Sequence, residues 1–96
     1  MLRSENPELE RESSRKITVE LIVKHDSQFG NRLVKDIPWP GKSLLVGIQR
    51  GDKYFIPKGD FEINEGDYIT VLTDVNSESR IREILEKMNL GEDTEE

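Results

Sequence analysis

Apolar and polar residues alternate from Ile17 to Lys24. Ile17, Val19, Leu21 and Val23 fall on one side and Thr18, Glu20 and Lys24 on the other, the period of a strand with one buried face. Ile22 interrupts the polar side, and an apolar residue there predicts packing under a helix or against a second subunit. Asp26-Ser27 offers an N-cap for a short helix around Gly30–Asp36, with Leu33 and Ile37 inward. Pro38 ends that helix, because the residue before a proline avoids the α region, and Pro38-Trp39-Pro40-Gly41 is a rigid turn. Ser43–Arg50 is apolar on both faces at Leu44, Leu45, Val46 and Ile48, which predicts a central strand.

Gly51-Asp52 lies between that run and Lys53–Pro57, the spacing of a two-residue hairpin. Phe61 and Ile63 are expected to be buried, Asn64–Asp67 to turn, and Tyr68–Thr73 to form the last strand. Asn76 or Ser77 then caps a helix to about Leu90 with Ile81, Ile84, Leu85 and Met88 on its inner face. Arg82–Glu86 and Glu83–Lys87 are candidate ion pairs one turn apart, and Gly91 stands where a left-handed residue ends a helix. The order β-α-β-β-β-α predicts an α+β domain, mostly antiparallel sheet with two helices.

Composition adds boundaries. Residues 1–16 have no sustained apolar period and read as a linker; 17–90 form the domain; 91–96 read as a disordered acidic tail. With 96 residues, 33% hydrophobic and 35% charged, the core is lean and pairing with a second chain is the usual remedy. The net charge of −6 sits largely in the tail, and no basic stripe suited to nucleic acid occurs. No apolar run approaches the ~20 residues of a membrane span, and no signal peptide is expected.

Candidate chemistry is sparse. His25 is the single histidine and there is no cysteine, so a metal site would need carboxylates alone. His25 reads as a strand-end surface residue and Asp26 as a helix cap. Ser27 and Ser43 lack a defensible His-Asp company, and the glycines stand singly at turns rather than in a phosphate loop. No catalytic residue and no metal ligand is assigned, so no enzyme is expected. Trp39, between prolines, reads as a lid on the core or, alternatively, as a contact with a partner subunit or with the protein the domain serves.

Four pieces then occur in order: Ser27-x-x-Gly30, Leu45-x-x-Ile48-x-Arg50-Gly51, Ile56-Pro57-x-Gly59-Asp60 and Glu65-Gly66-Asp67. Together they resemble the RCK C-terminal (TrkA-C) domain over about residues 17–90. Ile37-Pro38-Trp39-Pro40 leading into Leu44-Leu45-Val46 resembles the copies at the cytoplasmic C-terminus of bacterial chloride channel family proteins. The same domain occurs on potassium uptake subunits and cation/proton antiporters.

The resemblance implies a cytoplasmic regulatory domain at the inner face of the cell membrane, partnered by a transmembrane transporter domain on the same or another chain. It also implies a homodimer and, for several members, cyclic di-AMP bound at the dimer interface. No other cofactor, no nucleic-acid partner and no membrane insertion is expected. Such a ligand needs cations for two phosphates and flat surfaces for adenines. Phe29, Asn31 and Arg32, with Lys35 one turn on, are the candidate ligand residues, Arg32 facing a phosphate near a helix N-terminus. Ile22 is the candidate dimer contact. A plainer reading of the same segment is a solvated helix face, and of the whole chain a ligand-free dimerisation domain.

Overall fold

The computed structural model of the chain describes residues 15–91. The expected linker therefore falls outside the described residues up to position 14, and the expected acidic tail from position 92. At the inner boundaries the domain is slightly longer than expected. Arg15 C=O accepts from the Val75 amide (2.8 Å), and Lys16 already belongs to the first strand.

The elements run β1 (Lys16–Ile22), β2 (Arg32–Leu33), β3 (Leu44–Arg50), β4 (Lys53–Phe55), β5 (Glu62–Ile63), β6 (Tyr68–Asp74) and α1 (Glu78–Asn89). Three-residue 3-10 turns at Val34–Asp36 and Val75–Ser77 complete the order. One antiparallel sheet has the order β1-β6-β3-β4, and β2-β5 form a separate two-stranded ribbon.

Period-two apolarity becomes burial through the register. Val19 stands opposite Val71, and Leu21 opposite Ile69, which stands opposite Ile48 on β3. All four strand residues around that centre are sealed: Val19, Val71, Ile69 and Ile48 are each 0% exposed. Ile81, Leu85 and Met88 of α1 complete this core, with Ile84 at its margin, so the predicted inner helix face is the one observed. Each such side chain contributes about 1.5–3 kcal/mol on burial.

β3 is an inner strand, as its apolar run predicts, but the run has a second cause. A bulge between Leu45 and Gly47 sets Leu45, Val46 and Gly47 against only Val71 and Thr70. The extra residue breaks the in–out alternation that a regular strand would show. The Gly51-Asp52 hairpin is present, with Arg50 opposite Lys53 and Gly51 at φ 63.

The first predicted helix is not a helix. Around Gly30–Asp36 the chain makes β2 and then the 3-10 turn, so α1 is the only α-helix among the described residues. Positive φ values at Asp26 (70°) and Asn31 (61°) turn the chain out of a helical path, and β2 instead pairs with β5, Arg32 opposite Ile63. Ser27 does accept a hydrogen bond, from the Phe29 amide (3.0 Å), but this closes a tight turn rather than capping a helix. Ile37 is buried as expected.

Two smaller expectations at α1 are also corrected. The side chain that caps its approach is Asp74, whose Oδ1 accepts from the Ser77 amide (3.0 Å), not Asn76 or Ser77. Arg82 pairs back to Glu78 (2.7 Å) rather than forward to Glu86, which places the acid at the helix N-terminus where the dipole favours it. Glu83–Lys87 forms at 3.6 Å, and Gly91 ends the helix at φ 78.

Candidate functional site

The segment from Lys24 to Ser43 leaves the sheet and returns to it. Its path is fixed by side chains that bond main chain. Phe29 is fully buried and stacks on Trp39, centroids 5.3 Å apart with planes 17° from parallel. The Trp39 indole N–H donates to Val34 C=O (3.0 Å), so the tryptophan is indeed a lid, latched at its polar tip. Asn89 of α1 ties the start of the segment: its amide donates to Ile22 C=O (2.8 Å) and accepts from the Lys24 amide (3.0 Å). The Gln28 amide donates to Met88 C=O (2.9 Å), so the C-terminus of α1 is docked on this loop.

Of the four predicted ligand residues, the structure removes one from the surface. Phe29 lies inside the core and has no face to offer an adenine. Asn31 and Lys35 are exposed and Arg32 is half-buried. The Arg32 guanidinium donates to Asp36 C=O (2.7 Å) and Gln28 C=O (3.3 Å), strapping the turn. It has no helix N-terminus beside it, because the helix expected there is the 3-10 turn. Lys35 is set against Gly59 by a main-chain bond to Gly59 C=O (2.9 Å). Ile22 is 57% exposed, available for a partner. His25 is a surface residue, with its ring nitrogens 3.6 Å from Asp26 and 3.5 Å from Glu65. Among the described residues no group of His, Asp or Glu could hold a metal ion.

A polar centre that periodicity did not reveal lies at the other end of β3. The Arg50 guanidinium binds Asp67 through both carboxylate oxygens (2.8 and 2.7 Å) and donates to Glu62 C=O (3.0 Å). Phe55 and Phe61 flank it at 5.5 and 5.1 Å. Asp67 is buried and also accepts from the Asn64 amide (2.9 Å). The bond to Asp67 holds the Arg50 proton more tightly than usual, against some loss from burial. For Asp67, burial pushes the carboxyl upward, but the Arg50 hydrogen bond, the Asn64 amide and the Arg50 charge together hold it below its ordinary value. The signal in the sequence was Arg50-Gly51 and Glu65-Gly66-Asp67, read as turns; that the arginine of one binds the aspartate of the other needs the fold.

With this geometry in view, the TrkA-C domain matches residues 18–86, and the chain belongs to that family. TrkA-C domains are regulatory domains, not a family of enzymes. A curated relative, the Trk system potassium uptake protein TrkA homolog 1 of Methanosarcina mazei, is 26% identical over 70 residues. That alignment covers 73% of this chain but 16% of the relative, so the chain spans a small part of that protein.

The fold is that of RCK_C domains. A solved RCK domain with "cda" has a TM-score of 0.57 at 20% identity, covering 69% of this chain and 93% of that one. The RCK_C domain dimer of S. agalactiae BusR in complex with c-di-AMP has a TM-score of 0.57 at 22% identity, covering 72% and 95%. S. agalactiae BusR in complex with its busAB-promotor DNA has a TM-score of 0.58 at 21% identity, covering 77% of this chain and 37% of that one.

Proposed function

We propose that this chain is the regulatory domain of an ion transport protein, acting as a homodimer whose geometry responds to cyclic di-AMP. The observation that carries the reading is the TrkA-C match over residues 18–86, joined to the likeness to an RCK_C dimer in complex with c-di-AMP. The parent we propose is a chloride channel family protein, on the strength of Ile37-Pro38-Trp39-Pro40 and the Leu44-Leu45-Val46 run that follows. A potassium uptake or cation/proton antiporter regulator is the second reading, favoured by the Methanosarcina mazei relative. In either case the domain works at the cytoplasmic face of the membrane. No described helix is long and apolar enough to cross a membrane, so this reading assigns the transmembrane part to another region of a longer chain or to a separate chain. Promoter DNA is the ligand of BusR; a net charge of −6 makes it a poor ligand for this chain.

Arg32, Asn31 and Lys35 are the proposed ligand contacts, and Phe29 and Trp39 support them from beneath. Arg32 straps the loop, and a phosphate would compete with the Gln28 and Asp36 carbonyls for it. Titration calorimetry with cyclic di-AMP tests the reading. Binding is expected in the wild type, with Arg32→Ala raising the dissociation constant at least tenfold, since a charge-assisted bond is worth about 1.5–3 kcal/mol. Lys53→Ala, on the exposed β3–β4 hairpin, is the control. Absence of heat at millimolar ligand would leave the ligand-free dimerisation domain as the better account.

A further inference from the structure

Three of the exposed large apolar side chains meet in one place. Ile22 (57%), Leu90 (54%) and Tyr68 (38%) wall a groove of about 740 Å³ between the end of β1 and the C-terminal turn of α1. Apolar side chains gathered in this way mark a surface that another molecule covers. The groove opens onto the edge of β1, an outside strand of the sheet. The Val23 amide donates to Asp67 C=O and its carbonyl accepts from the Gly66 amide, so position 23 faces the β6 side. Successive residues of a strand direct their main-chain groups to opposite sides, so Thr18 and Glu20 face outward. Beside the groove the Asn89 side chain already holds Ile22 C=O and the Lys24 amide, as the end of a further strand would.

The charge here is acidic. Glu20 and Glu86 border the groove, against Lys24 as the single cation on its wall. The cations of the last two turns of α1 are committed elsewhere, Arg82 to Glu78 and Lys87 to Glu83, so neither neutralises Glu86. The C-terminal end of a helix adds partial negative charge. Beyond Gly91 the next residues in sequence include Glu92, Asp93, Glu95 and Glu96, and a chain of that length reaches no further than about 18 Å. A second copy seated about a twofold axis through the groove would set Glu20 and Glu86 against their own kind. Anionic lipid and phosphate are repelled for the same reason. An extended peptide with apolar anchors and Lys or Arg meets the open main chain, the apolar wall and the acids together.

We propose that this groove and the β1 edge beside it dock a basic, extended segment of the transport protein that the domain serves. Its apolar side chains enter between Ile22, Tyr68 and Leu90, and its Lys or Arg side chains face Glu20 and Glu86. Short cytoplasmic loops beside membrane spans are rich in Lys and Arg, so such a protein has segments of this kind. That source rests on the transport reading above; the chemistry of the groove does not. Fluorescence anisotropy of a labelled peptide of about ten residues, Leu alternating with Lys, tests it, with circular dichroism to report folding. Wild type should bind this peptide and refuse the same peptide with Glu in place of Lys. Ile22→Ser should raise the dissociation constant about tenfold or more, and Glu86→Lys about fivefold or more. Ile56→Ser, equally exposed but beyond β4 at the far edge, should leave it unchanged. No binding, or a loss with Glu86→Lys that Ile22→Ser does not share, overturns the groove. So does a wild-type dimer that Ile22→Ser splits in sedimentation, which would give the groove to a second copy. Titration of the same samples with cyclic di-AMP separates the two readings. Ligand bound and peptide refused overturns the groove alone; peptide bound and ligand refused upholds the groove and removes the ligand-responsive domain.

Discussion

The sheet–helix layer and the Lys24–Ser43 segment are built on different physics. In the layer, Val19, Val71, Ile69, Ile48, Ile81 and Leu85 exclude water completely, and the polar bonds are the repeating ones of ladder and helix. In the segment, short apolar anchors at Phe29 and Ile37 are joined by isolated side-chain bonds of Ser27, Arg32, Trp39 and Asn89 with main chain. Cooperative burial makes the first rigid. The second depends on a few individually replaceable contacts, the condition for local opening.

Substitutions can break that contrast. The largest effect is expected in the layer: Leu85→Ala should lower unfolding free energy by about 2–5 kcal/mol in urea titration, since α1 packs it at 0% exposure. A loss below half of one kcal/mol would remove α1 from the core. At the β3–β6 end, Asp67→Asn should cost about 1.5–3 kcal/mol by weakening the charge-assisted bonds to Arg50. The sign of its pH dependence follows from the lowered Asp67 value. The unfolded carboxyl takes up a proton near pH 3.9, before the folded one, so the stabilisation is complete above that pH and fades as pH falls through the folded value. Wild type should therefore lose more stability than Asp67→Asn between pH 7 and pH 3, and parallel losses would contradict the Arg50–Asp67 pair.

The joint between the two regions should respond more weakly. A Cβ on Gly91 would lie 2.5 Å from Asp26 C=O, and φ there is 78°. Gly91→Ala is thus expected to cost about 1 kcal/mol or more, read as a lower melting temperature. Within the segment, Arg32→Ala removes two bonds from a half-exposed side chain and should cost about 1 kcal/mol or less. A cost as large as that of Leu85→Ala would show that the segment is part of the cooperative core.

The same contrast explains what the sequence disclosed. Strands β1, β3 and β6 and the inner face of α1 were legible because burial against a single layer imposes a period on Val19–Leu21–Val23 and on Ile81–Leu85–Met88. The glycine turns at Gly51 and Gly91 were legible because positive φ selects the residue. The short helix is misread because Asp26, Asn31 and the β2–β5 pairing obey tertiary contacts, and the seven residues Gly30–Asp36 hold too little period to overrule a plausible cap. Phe29 was assigned to a ligand for the same reason: nothing local distinguishes an aromatic that stacks on Trp39 from one that stacks on a base. The Arg50–Asp67 pair was hidden because 17 residues and a strand crossing separate its members.

Amide hydrogen exchange with and without cyclic di-AMP tests the account most directly. The prediction is that ligand slows exchange across residues 24–43, with Arg32→Ala abolishing the change, while the β6 and α1 amides stay as they were. Unchanged exchange in that segment at saturating ligand, or protection confined to the sheet–helix layer, would contradict it.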